Sequence, residues 1–180
     1  MLALFALFLG SVCGLDPGSP NPSWAKFRAT IEQKDSILAA LTRDAWKSED
    51  PDDLLQKHVF LKIIINPEGR VKVERGPYVP ELTRGKPRLG LVRVHNQSGG
   101  QPPLEAKTHY FGSDKNPFRI EVLNSKALSS QLSGAEVEYK LVEIQCASPG
   151  KREITLGFQA GKQTQDLGFR GETSVLFEVK

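Results

Sequence analysis

The amino-acid sequence predicts a mainly β protein, a β-sandwich of about seven strands with an N-terminal helical segment packed on one face. Two patterns support this prediction. Hydrophobic residues recur every three or four positions before His58 and every second position after it, and turn residues separate the later runs. The composition agrees, because 39% of the residues are hydrophobic and 25% are charged, as in globular proteins. A chain of 180 residues buries roughly 70% of its unfolded surface without disulfide support.

The helical segment, or helical arm, is predicted over residues 23–57. Its apolar stripe recurs at helical steps and consists of Trp24, Phe27, Ile31, Leu38, Leu41 and Ala45. Ser23 is a suitable N-cap after Pro22, and Asp35 is a candidate cap for a second segment, so the stripe fits either one helix or two. The acidic turn around Pro51 lacks the glycine and the distal glutamate of a calcium loop, so a solvated helix start is expected.

The β-sandwich domain is predicted over residues 58–180, and its first strand runs from Val59 to Ile65. Apolar side chains occupy nearly every position of that strand, which indicates burial on both faces, with the helices over the second face. The turn from Asn66 to Gly69 and the alternation after it predict a hairpin. Further strands are predicted at residues 88–96, 117–123 and 173–180.

The pattern near the C-terminus predicts a second hairpin. Apolar side chains fall on odd positions up to Leu141 and on even positions from Val142 onward. A one-residue slip turns every later side chain over, so this change predicts a β-bulge between the two residues. Pro149-Gly150 is typical of a type II turn, after which an alternating strand returns to Ala160.

The N-terminus has the pattern of a targeting segment. Residues 1–9 are apolar and smaller residues follow, which predicts a signal peptide over residues 1–14 and a Pro/Gly-rich linker over residues 15–22. No Lys or Arg precedes the apolar run, which departs from the usual pattern. The run is too short to span a bilayer, so the protein is expected to be exported, periplasmic or extracellular, with no transmembrane span. A buried N-terminal element and a lipoprotein anchored through Cys13 are the alternatives.

The sequence lacks the usual patterns of catalytic and metal-binding residues. The three histidines are His58, His95 and His109, and no two of them stand at metal-ligand spacing. Nucleophile-elbow, P-loop and Cys-x-x-Cys motifs are also missing. We therefore expect a protein that is not an enzyme, with no catalytic residue, no metal and no cofactor. A thiol nucleophile at Cys146 is the alternative, although an alternating strand disfavours the exposure that it needs.

The charge balance disfavours a nucleic-acid partner, because the net charge is only +3 and no dense Lys/Arg run occurs. A looser basic cluster consists of Arg70, Lys72, Arg75, Arg84, Lys86 and Arg88. It fits a face that binds an anionic polymer or lipid headgroups, or an ordinary solvated sheet face. The solvated face is expected, because glutamates are interleaved with the cations.

The loop over residues 161–171 is the candidate binding site. It is dense in amide, hydroxyl and charged side chains, and the residues proposed to bind are Thr164, Gln165, Asp166 and Arg170. Asp166 and Arg170 can pair and so make the loop rigid. A structured connection between strands, without a binding role, is the alternative interpretation.

Two stretches share a pattern with a known family. One runs from Ile65 to Pro77 and contains Asn-Pro-Glu-Gly-Arg, and the other runs from Gly150 to Arg170 and ends in Thr-Gln-Asp-Leu-Gly-Phe-Arg. They resemble the N-terminal region of large secreted bacterial metallohydrolases of the PHP (polymerase and histidinol phosphatase) superfamily. The resemblance spans residues 24–180 and implies a β-rich accessory region before a metal-dependent catalytic domain. The clustered His and Asp ligands of that domain have no counterpart in this sequence, so its activity is not implied.

Three functional hypotheses follow. The first is a non-catalytic, exported accessory or interaction module related to the front of a PHP-type metallohydrolase, whose catalytic domain is a candidate partner. The second is a carbohydrate- or polymer-binding module that uses the 161–171 loop, with a polysaccharide as partner. The third is a cysteine-dependent enzyme built on Cys146.

Overall fold

The computed structural model describes residues 22–68, 70–98, 104–123, 129–132, 135–160 and 169–180. The helices come first: α1 is Pro22–Lys34, α2 is Ser36–Thr42 and α3 is Pro51–Leu55, with 3₁₀ turns at Ala45–Lys47 and Gln56–His58. Within the described ranges nine strands follow: β1 Val59–Ile65, β2 Val71–Arg75, β3 Arg88–Asn96, β4 Leu104–Tyr110, β5 Phe118–Leu123, β6 Ser129–Leu132, β7 Ala135–Cys146, β8 Gly150–Ala160 and β9 Phe169–Val179. The predicted mainly β fold with N-terminal helices is confirmed.

The strands form two sheets that pack face to face. The larger sheet has the order β2-β1-β3-β7-β5, and β6 pairs with β7 on the side away from β3. The smaller sheet has the order β4-β8-β9. Side chains of both sheets belong to one buried cluster, with Phe60 and Val92 from the larger sheet and Ile154 and Phe177 from the smaller. This shared core is that of a β-sandwich, as predicted.

The helices cover the opposite face of the larger sheet. Phe27 of α1 and Leu38 of α2 lie in a second buried cluster with Leu91 of β3 and Leu141 of β7. From β1 this cluster includes Val59, whereas the later residues of β1 on this face are half-buried. The prediction that the helices cover the second face of β1 is therefore correct at its first residue, and β3 and β7 receive most of the helical layer.

β7 passes from the helical layer into the sandwich core without a bulge. Its pairing with β3 keeps one register over nine residue pairs, and its pairing with β5 keeps one register over six. The predicted bulge at Leu141-Val142 is therefore wrong. Tyr139 and Leu141 are buried under the helices, whereas Val142 and Ile144 are buried between the sheets. The apolar positions change face because the covering layer changes.

The predicted hairpin between residues 136 and 160 is also wrong. β7 belongs to the larger sheet and β8 to the smaller one, so the Pro149-Gly150 turn takes the chain across the core from one sheet to the other. Gly150 has a φ of +93°, a conformation that glycine adopts without steric cost, which agrees with the predicted turn. The hairpin of this region is β8 with β9, which pair antiparallel along their whole lengths.

The helices of the arm begin at polar caps. Asp35 lies between α1 and α2, and its carboxylate accepts hydrogen bonds from two backbone N–H groups of α2. Asp35, the candidate cap, is therefore a cap, and of the two alternatives that the stripe leaves open, the structure has two helices. Asp50 caps α3 in the same way, as the acidic turn predicts. α1 begins at Pro22, so Ser23 lies inside the helix and the prediction that it is the N-cap is wrong.

A buried ion pair joins α2 to β3. Arg88 Nε donates to Asp35 Oδ2 at 2.7 Å, and the backbone N–H of Leu89 donates to the same oxygen at 2.9 Å. Burial acts to raise the pKa of the Asp35 carboxyl, but the hydrogen bonds from Arg88, Leu38 and Leu89 outweigh it, so this pKa lies below its ordinary value. One carboxylate thus caps a helix and fixes it to the sheet.

A second ion pair joins α3 to the same strand. Arg93 donates two hydrogen bonds to the Asp52 carboxylate, from Nε at 2.8 Å and from Nη2 at 2.9 Å. The Tyr139 hydroxyl donates a third hydrogen bond to the same carboxylate. Burial acts to raise the pKa of Asp52, but these bonds lower it below its ordinary value, whereas burial and Asp52 together raise the pKa of Tyr139. Asp52 is therefore not a solvated residue of the acidic turn, since only 18% of its side chain is exposed.

Substitution of Asp35 should weaken the fold strongly. Asp35→Ala removes a helix cap and leaves the Arg88 charge half-enclosed without its partner, so we expect a loss of about 3 kcal/mol in the free energy of unfolding. Urea denaturation measures this loss. Asp53→Ala is the matched control, because Asp53 is 62% exposed in its pair with Lys57 and such a pair contributes only about 0.5 kcal/mol. Equal losses in the two variants would contradict this account.

Acid should weaken the attachment of the arm. The folded pKa values of Asp35 and Asp52 lie below the ordinary 3.8, so their stabilisation is complete at neutral pH and is lost as pH falls below about 4 through the folded values. Urea midpoints between about pH 7 and 2 should therefore fall less in an Asp35→Asn/Asp52→Asn variant than in the parent. Burial lowers the pKa of His58, so this residue causes a further decline in stability as pH falls below about 6.5. That decline is expected in the variant as well as in the parent. Parallel curves below pH 4 would show that the carboxylates contribute nothing.

Candidate functional site

A groove opens on the smaller sheet where β4 ends. Its volume is about 340 Å³, and its lining comes from β4, the turn after it, β8 and β9: Tyr110, Phe111, Gly112, Lys151, Arg152, Glu153, Thr155 and Ser174. These residues sit at strand ends and on an outward strand face, where a rigid sheet fixes side chains that solvent still reaches. We therefore take this groove as the candidate site.

Strand register sets a polar row on the outer face of the smaller sheet. Thr155 of β8 is paired with His109 of β4 on one side and with Ser174 of β9 on the other. The neighbouring residues Ile154 and Val175 are buried in the core, so alternation points the row outward. The hydroxyl oxygens of Thr155 and Ser174 are 2.9 Å apart and share a hydrogen bond. A hydroxyl has one donor and two acceptor positions, so Ser174, which is exposed, retains capacity for a ligand.

Tyr110 is anchored into the core from one wall of the groove. Its ring lies 5.9 Å from that of Phe118, which lies 5.7 Å from Phe177. The Tyr110 hydroxyl donates to Asp114 Oδ1 at 2.8 Å, and this bond raises the pKa of Tyr110 and lowers that of Asp114. A Cβ at Gly112 would collide with the Tyr110 ring, so glycine allows the turn to fold back over tyrosine.

The rim of the groove carries an aromatic platform beside charged groups. Phe111 leaves 85% of its surface exposed, and its ring lies 6.4 Å from the His109 imidazole with a tilt of 31°. Lys151 and Glu153 are exposed on β8. Arg152 lies between them, and its Nε is buried with no hydrogen-bond partner among the described residues. The groove therefore offers hydrogen-bond donors, acceptors and an apolar surface within one small volume.

Most of the sequence-predicted binding residues cannot be compared with this groove, because the structure does not describe them. Thr164, Gln165 and Asp166 lie outside the described residues. Arg170 is on β9, paired with Gln159. Ala160, the last residue of β8, is at the end of that strand opposite to the groove. Sequence reasoning missed the groove, although the exposed aromatic next to a Gly-Ser-Asp turn at 112–114 is a signal that it contained.

The predicted basic cluster is not a single surface. Arg88 is drawn into the ion pair with Asp35, and Arg84 donates through Nε to the carbonyl of Ala147 at 3.0 Å. Lys72 pairs with its strand neighbour Glu74 at 2.6 Å. These three cations have separate partners, and Arg88, with 14% of its side chain exposed, is not part of a solvated face. We place no binding site there.

The histidines lie in separate places. His58 packs edge-on against Tyr78, His109 is beside Phe111, and His95 lies in β3, paired with Val137 of β7. Over the described part of the chain, no three His, Cys, Asp or Glu side chains gather as metal ligands would. None of the helices in that part is both long and apolar enough to cross a bilayer.

Comparisons with known proteins assign no function to this groove. Neither a protein-family model nor a curated protein matches the chain. Among solved structures, the chain is similar to a cysteine protease inhibitor from Entamoeba histolytica, with 7% sequence identity and a TM-score of 0.26. The similarity covers 50% of this chain and 77% of that chain. A score this low supports no inference, and the resemblance to the PHP superfamily stays a prediction.

The Cys146 thiol is placed in the sandwich core. The residue is 0% exposed, and its Sγ lies 3.3 Å from the carbonyl oxygen of Ser148, to which it donates. A nucleophilic thiol must meet both its base and its substrate, and burial among apolar side chains prevents this. The position therefore fits a small core hydrophobe, as the alternating strand predicts.

Alkylation measures how well the core protects this thiol. A Cys13→Ser variant leaves Cys146 as the thiol that can react. We expect no iodoacetamide adduct in the folded protein over hours. In about 6 M urea, which unfolds the chain, we expect complete reaction. Mass spectrometry of the intact chain reads the adduct. Rapid labelling of the folded protein would restore the cysteine-enzyme hypothesis.

Proposed function

We propose that this protein is a non-catalytic, exported accessory or interaction module related to the front of a PHP-type metallohydrolase. The observation that supports this proposal most is the groove beside Phe111. In it an exposed ring, two cations, a carboxylate and hydroxyl groups stand together on a rigid sheet. Binding sites combine such apolar surface with a few placed polar groups.

The chemistry of the groove suits recognition better than turnover. Thr155 and Ser174 hydrogen-bond to each other, whereas a nucleophilic hydroxyl is activated by an adjacent base. The carboxyl of Asp114 accepts from Tyr110 and so orients a wall residue. These bonds support a site that holds a partner.

The scaffold fixes the site before any partner arrives. β8 is the central strand of the smaller sheet and pairs along its length with β9 and along seven residues with β4. Side chains on such a strand lose little freedom on binding, which favours affinity. The interaction module is therefore a rigid surface with a short turn at its edge.

Export and the identity of the partner are proposed from the sequence. The apolar segment at residues 1–14 supports a signal peptide, and the resemblance supports the catalytic domain of a metallohydrolase as the partner. The alternative remains a carbohydrate- or polymer-binding module. In that alternative, the loop from residue 161 to 171 is a binding site that competes with the groove.

An enzyme assay tests the non-catalytic part of this proposal. With Mn²⁺ or Zn²⁺ added, the purified chain should not hydrolyse p-nitrophenyl phosphate or its diester above the buffer rate, since the described residues present no ligand cluster for a metal. A His58→Ala/His95→Ala/His109→Ala variant identifies contamination, because a foreign activity would survive it. Metal-dependent turnover that this variant abolishes would overturn the proposal.

A further inference from the structure

We propose that the groove beside Phe111 binds a neutral saccharide of one or two sugar rings, with the Phe111 ring as the stacking platform. This inference rests on the proposal that the chain is a non-catalytic module, takes up its carbohydrate-binding alternative, and assigns that alternative to the groove instead of the 161–171 loop. The described side chains that would recognise the sugar are those of Lys151, Arg152, Glu153, Thr155 and Ser174.

A sugar ring presents polar hydroxyl groups and an apolar C–H face, and the groove has groups complementary to both. Its hydroxyl groups each donate and accept, so a site must supply donors and acceptors together. Lys151 and Arg152 donate, Glu153 accepts, and the Ser174 hydroxyl does either. The apolar C–H face of the ring packs against an exposed aromatic face, and Phe111 offers one with 85% of its surface free.

The charges around the groove favour a neutral ligand. The positive charges of Lys151 and Arg152 are balanced by the negative charges of Glu153, in the lining, and Asp114. The hydrogen bond from Tyr110 is the main cause that lowers the pKa of Asp114, and the charge of the nearby Arg152 lowers it further. An anionic polymer would meet two carboxylates at this site, which costs affinity. Balanced charges instead give strong hydrogen bonds to hydroxyl groups, because bonds to ionised side chains are roughly twice as strong as neutral ones.

Within the described part of the chain, the Arg152 guanidinium supplies an unpaired donor next to the groove. Its Nε is buried and makes no hydrogen bond among the described residues. A buried donor left unpaired is destabilising. In the complex, a sugar hydroxyl accepts from the guanidinium, which has five N–H donors.

The dimensions fit a small ligand on a preformed surface. A volume of about 340 Å³ lies at the lower end of the roughly 300–1,000 Å³ of small-molecule sites. Tyr110 is fixed by Phe118 and by Asp114, so the wall does not need to be ordered on binding. Phe111 has only two side-chain torsions to fix, which keeps the entropic cost low.

A glycan array followed by calorimetry tests the proposal. The purified chain should bind neutral oligosaccharides on an array that also carries acidic ones, and affinity for the best neutral hit should fall about tenfold in Phe111→Ala and more in an Arg152→Gln/Glu153→Gln variant. Ile37→Ala is the matched control. Ile37, like Phe111, is an exposed hydrophobic residue, with 53% of its surface exposed, but it lies on α2 in the opposite layer. A Gln165→Ala/Arg170→Ala variant tests the competing loop. Circular dichroism and urea midpoints confirm that each variant is folded.

Loss of binding in the groove variants, with the Ile37 and loop variants unchanged, supports the proposal. A blank array, a preference for acidic glycans or inorganic polyphosphate, or affinity that survives Phe111→Ala overturns it. Binding lost only in the loop variant also overturns it, because the ligand then binds through residues of the 161–171 stretch and not through the groove. None of these results contradicts the separate proposal that the protein is a non-catalytic module. That proposal fails if the protein hydrolyses the array glycans or the phosphoesters.

Discussion

The central strands β3 and β7 bury apolar side chains on both faces, and the remainder of the architecture follows from this constraint. At one end of β7, Tyr139 and Leu141 need cover on the helical side, and at the other end Val142 and Ile144 need cover from the smaller sheet. A two-layer sandwich satisfies only one of these needs. The helical arm supplies the third layer, so helices and sandwich form a single hydrophobic unit.

Two arginines of β3 determine where that third layer sits. Arg88 meets Asp35 at the start of α2, and Arg93 meets Asp52 at the start of α3. Apolar contacts are non-directional and would tolerate sliding of short helices over the sheet. Half-enclosed, hydrogen-bonded charge pairs tolerate little displacement, since an unpaired charge there is costly. We attribute positional specificity to the pairs and most of the free energy of association to burial.

Local patterns in the sequence predict the elements well. The bounds of β1 and β3 and the cap at Asp35 follow from residues adjacent in the chain. The errors arise where the answer depends on distant residues. The change of phase at Leu141-Val142 is produced equally by a bulge or by a change of covering layer. Likewise, the Pro149-Gly150 turn fits a hairpin or a crossover between sheets, and only strand pairing distinguishes these alternatives.

The candidate site was harder to predict than the fold for the same reason. Its residues come from β4, β8 and β9, and 64 positions separate Tyr110 from Ser174 in the chain. The sequence of strand β4 does alternate, with Leu104, Ala106 and Tyr110 at even positions and charged or imidazole residues at the odd ones, but the strand was not predicted. Arg93 and Asp52 are likewise ordinary surface residue types until the fold joins them. Composition marks polar loops as candidate sites, whereas the groove combines single polar residues from several strands.

Native-state hydrogen exchange tests the central claim that helical arm and sandwich form one cooperative unit. The amides of Leu38 and Leu89 both donate to Asp35, one from α2 and one from β3, so their exchange reports on both sides of the joint. We predict that the two amides, with those of β7, exchange with the same free energy and the same dependence on denaturant. Fast exchange of Leu38 while Leu89 and β7 stay protected would show that the arm opens independently, and would contradict the account.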